Sequence, residues 1–230
     1  MSKFNAVIVI LLVCLGAVAE EKKWDFKRGK WDSADWLEIK NPRWEYFGKW
    51  IQEKDHIRNA VPTGEPPEVL QGKRAPETFS SMLVKDVLKG NAKASSTMSF
   101  DYRMAPEIVL AGPLGKSAKG IPEFREYWEI VLFDEGINVW HHEMRDGKPF
   151  WRKAAFVNCR FEKDRKYTME AEVVFTAKCP MLNVSCRPYG DKGQEIKFGC
   201  MLPTLPKEYY IGISGCEGKN RFYDFTLNRM

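Results

Sequence analysis

Apolar and polar residues alternate with a two-residue period in many short stretches of this chain. Such alternation is typical of β-strands with one buried face, whereas amphipathic helices repeat every three to four residues. Long apolar stripes with helical spacing are absent from the sequence. The predicted strands lie within residues 97–105, 125–145, 154–162, 167–178, 194–202, 209–216 and 221–228.

Turn-forming residues separate these strands, notably at residues 188–193 and 217–220. Many short strands with turns between them predict an all-β fold, either an antiparallel sandwich or a barrel. Residues 58–78 and 111–123 are rich in Pro and Gly, and we expect long surface loops there. Neither loop marks a clear boundary, so residues 20–230 are predicted to form a single domain. The tryptophan-rich start of this domain, up to Trp50, should pack its rings against the sandwich or add edge strands.

The first 19 residues differ from the rest of the chain. Lys3 precedes an apolar run, and small residues end the segment at Ala19. The run has about half of the ~20 residues that a membrane-spanning helix needs. Residues 1–19 are therefore predicted to be a signal peptide, which makes the protein secreted, periplasmic or extracellular, with no transmembrane segment after its removal. A lipoprotein signal with Cys14 as the lipidated residue is the alternative, although Val13 stands where a small residue is preferred.

The charge of the chain argues against nucleic acid as a partner. Removal of the predicted signal takes away Lys3 and no acidic residue, so the net charge falls from +5 to +4. No run of basic residues provides the phosphate-binding stripe that nucleic acids require. A mild positive charge fits attraction to an anionic polysaccharide, and it fits simple solubility equally well.

The cysteines leave the disulfide pattern open. The mature chain keeps five, and none forms a Cys-x-x-Cys pair of the kind that binds structural zinc. Export would permit disulfides, but an odd number leaves at least one thiol free or paired between chains. Buried free cysteine, acting as a small apolar residue, is the alternative. The five are Cys159, Cys179, Cys186, Cys200 and Cys216.

Residues 125–145 carry the candidate binding site. With Glu135–Gly136 as a two-residue turn, one face of this hairpin gathers aromatic, carboxylate, amide, guanidinium and imidazole groups. Aromatic rings stack on the apolar face of a sugar, and the polar groups bond its hydroxyls. A one-residue slip would send these side chains to opposite sides, and an ordinary solvent-facing sheet is the alternative interpretation. The candidates are Arg125, Tyr127, Glu129, Asn138, Trp140 and His142.

The C-terminal residues 209–227, which read YYIGISGCEGKNRFYDFTL, resemble the closing strands of concanavalin A-like lectin/glucanase domains. Residues 99–104 and 167–173 are similar to earlier strands of the same family. The resemblance spans roughly residues 95–228. It implies a jelly-roll sandwich of two curved antiparallel sheets with a ligand on the concave one. Members include sugar-binding modules, glycoside hydrolases and polysaccharide lyases, so the fold does not select among these functions.

Catalytic motifs of that family are not found in this chain. The Glu-x-Asp-x-Glu strand of laminarinase-type members is missing, and Glu126 and Glu129 have a spacing that points them to opposite faces. The alginate-lyase strands do not match either, although Arg125, Tyr127 and His142 contain the base and the cation that a lyase needs. His141-His142-Glu143 lacks the second histidine of a zinc-protease motif, because position 146 is Asp146.

These observations predict a secreted protein that binds or acts on a polysaccharide or oligosaccharide. A polysaccharide lyase or glycoside hydrolase with a non-standard motif is one alternative, and a non-catalytic structural domain of the cell surface is another. No cofactor is expected. A structural calcium ion fits the fold class, but no residue spacing identifies a site for it or for another metal.

Overall fold

The computed structural model describes residues 20–191 and 193–230, so the predicted signal peptide at residues 1–19, with Cys14, lies outside the described residues. The one α-helix of the described part, α1, is Pro67–Gln71, and single 3-10 turns occupy Ser33–Asp35 and Ala75–Glu77. The strands are β1 (Glu20–Asp25), β2 (Trp36–Glu38), β3 (Trp50–Gln52), β4 (Ile57–Asn59), β5 (Ser80–Val84), β6 (Leu88–Lys89), β7 (Ala92–Phe100), β8 (Pro106–Ala111), β9 (Gly115–Lys116), β10 (Pro122–Glu123), β11 (Glu126–Phe133), β12 (Gly136–Arg145), β13 (Lys148–Asn158), β14 (Tyr167–Phe175), β15 (Pro180–Pro188), β16 (Ile196–Met201), β17 (Glu208–Gly215), β18 (Asn220–Phe222) and β19 (Asp224–Arg229).

Two large sheets contain almost all of these strands, and every strand pair in them is antiparallel. Within the described residues, sheet A has nine strands in the order β16-β15-β14-β7-β18-β4-β3, with β19 beside β7 and β1 beside β19. Sheet B has eight in the order β13-β12-β11-β8-β17-β5-β2, with β6 beside β17. The short hairpin β9-β10 stands apart from both. The all-β antiparallel sandwich predicted from the sequence is confirmed.

The core lies between the two sheets and follows from the two-residue period. On β8 and β11, Ile108, Leu110, Trp128 and Ile130 point toward sheet A and are fully buried. Alternate residues of β14 and β15 in sheet A pack against them, including Met169 on β14 and Cys186 on β15. Strand β15 was not predicted, although its residues also alternate between buried and accessible positions.

The tryptophan-rich start adds edge strands and packs its rings against the sandwich, as expected. Strand β1 pairs with the C-terminal strand β19 at one edge of sheet A, and β2 closes one edge of sheet B. The rings of Trp24 and Trp36 pack on each other with centroids 5.2 Å apart and also contact Phe225 in the core. Aromatic pairs of this kind contribute roughly 0.5–1.5 kcal/mol beyond the area they bury.

Part of the face of sheet B that is turned away from sheet A, called here the outer face, is covered. A second apolar cluster is formed there by Ile39, Phe79, Leu83, Val109, Ala111, Phe124 and Tyr127. Its members include residues of β5, β8 and β11 and of the segments that precede them in the chain. The cluster covers only one side of the outer face, and β12 and β13 remain partly open.

The two predicted loops and the cysteines agree with expectation in part. The loop at residues 58–78 contains the helix α1, and the loop at residues 111–123 contains the hairpin β9-β10, so each has more structure than expected. All five cysteines of the described chain are free thiols. Burial raises the pKa of the Cys186 thiol, and it raises that of Cys200 to about 11, as expected for cysteines packed as apolar residues. Over the described ranges, no helix is long and apolar enough to span a membrane.

Candidate functional site

The hairpin at residues 125–145 turns one residue earlier than predicted. Strand β11 ends at Phe133 and β12 begins at Gly136, so the turn is Asp134–Glu135 and not Glu135–Gly136. Gly136 lies in the strand with φ 153°, where a Cβ would stand 2.1 Å from the Val157 carbonyl oxygen. The pairing therefore shifts by two residues. Because two is an even number, every side chain keeps its predicted face.

The observed register places the polar candidates in a grid on the outer face. Glu129 lies opposite Trp140, and Val131 lies opposite Asn138. The neighbouring strand β8 adds Glu107 opposite Val131. Since opposed residues of antiparallel strands project to the same side, Glu107, Glu129, Asn138, Trp140 and His142 all share the outer face.

These side chains line a recess of about 290 Å³. That volume lies near the lower end of ligand pockets, which usually measure about 300–1,000 Å³. Four of the six predicted site residues line it, namely Glu129, Asn138, Trp140 and His142. The other lining residues that carry polar or aromatic side chains are Arg43, Trp44, Phe79, Glu107, Trp151, Cys216 and Glu217.

His142 is the centre of a stacked and paired group. Its Nε2 lies 2.8 Å from Glu129 Oε2, an ion-pair distance, although the ring nitrogen is not aligned for a hydrogen bond. Its ring stacks on Tyr127 with centroids 4.5 Å apart and planes 11° apart. Tyr127 stacks in turn on Phe124, and its hydroxyl accepts a hydrogen bond of 2.9 Å from Asn41. The imidazole is therefore held in one orientation beside Glu129.

Glu107 is the most deeply buried acid of the recess, with 1% of its surface exposed. Its Oε1 accepts a hydrogen bond of 3.2 Å from the Cys216 thiol, and its Oε2 has no hydrogen-bond partner among residues 20–191 and 193–230. Burial, followed by the negative charge of Glu129, raises the pKa of Glu107 well above its ordinary value. Glu107 is therefore favoured as a neutral carboxylic acid, whereas Glu129 has an imidazole partner.

Substitution Glu107→Gln should stabilise the protein at neutral and alkaline pH. Because the folded-state pKa is raised, wild type loses stability as pH rises from about 4.3, the ordinary glutamate pKa, through the folded value. Glutamine does not titrate and avoids this loss, which amounts to about 1.4 kcal/mol for each pKa unit. Urea unfolding at pH 4, 6 and 8 should show a difference that grows with pH. A constant or shrinking difference would show that the pKa of Glu107 is not raised in the folded protein.

The loop after β17 brings a third carboxyl group to the recess. Glu217 has φ 55°, a left-handed conformation that is costly for a residue with a side chain. Its backbone N–H donates a 2.7 Å hydrogen bond to Thr78 Oγ1, which holds the strained residue in place. Burial raises the pKa of Glu217, and the positive charge of Arg43 opposes this effect.

Arg43 closes the other side of the recess between two indole rings. Its Cζ lies 4.5 Å from the centroid of Trp44 and 4.3 Å from that of Trp151. Such stacking holds a guanidinium by its faces and leaves its N–H edge available. No ion pair of Arg43 is present in the part of the chain that the structure describes. Arg43 is therefore a fixed group of hydrogen-bond donors at the mouth of the recess.

Two predicted site residues lie elsewhere. Tyr127 is 1% exposed and belongs to the second apolar cluster, where it supports His142 from within the packing. Arg125 precedes β11, and its Nη2 donates a 2.9 Å hydrogen bond to the Lys116 carbonyl. The structure thus places Arg43 at the recess, and it places Arg125 beside the hairpin β9-β10.

Known proteins resemble this chain in fold and not in sequence. No family model and no curated protein matches the sequence. Among solved structures, peanut lectin with a nine-residue peptide aligns with TM-score 0.60 and 9% identity over 92% of this chain and 97% of the lectin. Arcelin-5, a lectin-like defence protein from Phaseolus vulgaris, aligns with TM-score 0.58 and 12% identity over 92% and 98%. The chain has the concanavalin A-like fold. The lectin UEA-II complexed with galactose aligns with TM-score 0.57 and 9% identity over 92% and 99%.

Identity near 10% shows that this is the concanavalin A-like sandwich, and it transfers no site residue. The recess must therefore be interpreted from its own side chains. Sequence analysis missed Arg43, Glu107, Trp151 and Glu217. Glu107 left a signal, since it is the one acid in the otherwise apolar run of residues 106–111. Arg43 left none, because the segment that carries it reaches the recess only through tertiary packing.

The described residues of this concanavalin A-like sandwich contain no recognisable metal site. Across residues 20–191 and 193–230, no group of three or more His, Cys, Asp or Glu side chains is placed to hold a metal ion. Structural calcium stays a prediction from the fold class.

Proposed function

We propose that this protein is a secreted carbohydrate-binding protein that holds a glycan in the recess on the outer face of sheet B. Three polar atoms of the recess support this proposal most directly. They are Glu107 Oε2, Asn138 Oδ1 and His142 Nδ1, and none has a hydrogen-bond partner within the described chain. Their residues are between 1% and 7% exposed. Buried polar atoms are nearly always hydrogen-bonded, so such a group in one lined recess indicates a polar ligand.

Aromatic walls favour a sugar among polar ligands. Trp44, Trp140 and Trp151 all line the recess, and a pyranose offers both an apolar face for stacking and hydroxyls for the unpartnered atoms. Arg43 adds donors that can bond two neighbouring hydroxyls. The structural neighbour UEA-II, complexed with galactose, supports the same class of ligand at the level of the fold.

A row of rings favours a chain of sugars over a single one. Strand pairing places Trp140 opposite Lys153 and Asn138 opposite Phe156, because a bulge in β13 brings both of the latter to the outer face. Lys153 Nζ lies 5.9 Å from the Trp140 ring and 5.0 Å from the Phe156 ring. Phe156 then approaches Phe133, with centroids 5.9 Å apart. The row extends from the recess along the sheet, as a polysaccharide or oligosaccharide requires.

Binding is tested by isothermal titration of the purified protein with laminarin, xylan, galactan, polygalacturonate and alginate. We expect at least one of these glycans to bind, and its longer oligosaccharides to bind more tightly than its monosaccharide. Substitution Trp140→Ala should weaken that binding by about tenfold or more, which is 1.4 kcal/mol, because it removes a central aromatic platform.

Phe150→Ala is the matched control. Phe150 is an exposed aromatic of β13, at 38%, and it pairs with Glu143 on the opposite face of the sheet. Its removal should leave the affinity unchanged. Thermal unfolding of both variants shows that the fold is retained. Absence of binding to every glycan, or equal effects of the two substitutions, would contradict the proposal and favour a structural domain without a sugar ligand.

A further inference from the structure

We propose that the recess also cleaves the glycan it binds, by hydrolysis of a glycosidic bond, with Glu107 as the general acid and Glu129 as the general base. This inference rests on the proposed function, since it assigns chemistry to the same site. The two residues lie on adjacent strands, β8 and β11, and on the same face of sheet B. Glu107 pairs with Val131 and Glu129 pairs with Val109, so they are diagonal neighbours.

The strand positions of the two residues suit this reaction. Diagonal neighbours on antiparallel strands lie about 7–8 Å apart at their backbones. Glycosidases in which a general base activates the attacking water hold their two carboxyl groups roughly 6.5–9.5 Å apart, which leaves room for that water. Both residues line the recess beside Trp140, where a sugar ring would stack. The arrangement joins two strands and so differs from a motif carried on one strand, which is why no sequence pattern revealed it.

The two acids have different surroundings. Glu107 is enclosed, bonds only the Cys216 thiol, and is disfavoured as an anion by burial and by Glu129. Glu129 lies instead 2.8 Å from His142 Nε2. In many hydrolytic sites, the acid and the base are two carboxyl groups that differ in their environments.

The reaction balances without a cofactor. Glu107 transfers its proton to the bridging oxygen as the bond from that oxygen to the anomeric carbon breaks, and the electron pair of the bond stays on the departing hydroxyl group. A water molecule forms the new bond to the anomeric carbon and gives one proton to Glu129. Exchange with solvent then returns a proton to Glu107 and removes one from Glu129. His142 positions Glu129, and it is itself held by the stacking on Tyr127.

The test uses wild type, Glu107→Gln and Phe150→Ala with the same five glycans in water enriched in ¹⁸O. New reducing ends are counted, mass spectrometry measures the heavy oxygen at each new end, and affinity is measured in parallel. We expect wild type and Phe150→Ala to produce labelled reducing ends at equal rates. At saturating glycan, where a change in affinity no longer affects the rate, Glu107→Gln should cleave about 10²–10⁴-fold more slowly, the usual effect of losing a general acid.

A leaving-group comparison separates an acid from a structural residue. With a 4-nitrophenyl glycoside of the sugar that is released, the deficit of Glu107→Gln should shrink, because nitrophenolate departs without a proton. A deficit that is equal for both substrates overturns the acid role of Glu107. Binding of a glycan without cleavage by wild type overturns the hydrolysis and leaves the proposed binding function standing. Unsaturated products without heavy oxygen also overturn it, in favour of elimination, whereas failure to bind any glycan overturns both proposals.

Discussion

Substitution Gly212→Ala is expected to lower the free energy of unfolding by about 3 kcal/mol or more. Gly212 lies in β17, between β8 and β5, and pairs with Leu83. A Cβ there would stand 2.1 Å from the Met82 carbonyl oxygen and 2.6 Å from the Leu83 Cα. Both contacts are with backbone, which no side-chain rotation can relieve, so two central strands of sheet B must separate. Urea unfolding followed by tryptophan fluorescence measures the loss.

Gly112→Ala is the control for this result. Gly112 is also a buried glycine of the same region, at the end of β8, but its Cβ would meet nothing closer than the Glu126 carbonyl oxygen at 3.5 Å. That is an ordinary van der Waals contact, so we expect a change within about 0.5 kcal/mol. Similar losses in both variants would show that strand spacing at Gly212 is not the cause.

Substitution Asn59→Ala should be the most damaging polar change, with a loss of at least about 3 kcal/mol and a Tm lower by roughly 6–12 °C. Asn59 is fully buried at the end of β4. Its amide donates to the Thr78 carbonyl at 2.7 Å and to the Gly218 carbonyl at 2.9 Å, and its Oδ1 accepts from the Asn220 N–H at 2.8 Å. Alanine removes all three hydrogen bonds and leaves the Gly218 carbonyl with only the longer bond of 3.3 Å from the Asn220 amide.

The same substitution should also weaken glycan binding, because Asn59 holds the loop that carries Glu217 to the recess. Asn59 donates to the carbonyls of Thr78 and Gly218; Thr78 accepts the Glu217 N–H, and Gly218 follows Glu217 in the chain. Differential scanning calorimetry and titration with the bound glycan measure the two effects. Asn183→Ala is the control, since Asn183 is exposed and donates one hydrogen bond, to Glu172. A stable Asn59→Ala variant with wild-type affinity would refute this account of the loop.

The hairpin at residues 125–145 shows how much of the site the local sequence pattern predicted. Alternation assigned Glu129, Asn138, Trp140 and His142 to one face, and the structure brings all four to the recess. The turn was predicted one residue too late in the chain. Its true position depends on the close approach of Gly136 to β13, which is a strand outside the hairpin. Alternation also assigned Tyr127 and Arg125 to that face, and it carries no information on what covers them.

The sequence by itself determined the all-β class, the direction in which each alternating residue points, and the resemblance to the concanavalin A-like fold. These properties follow from a two-residue period, which is local and survives small errors of register. Tertiary structure alone decided which part of the outer face stays open and which charged groups meet there. Arg43 reaches Trp151, and Glu107 reaches Glu129, through contacts between segments distant in the chain. Such contacts depend on how the whole sandwich packs, and no periodicity within a strand encodes them.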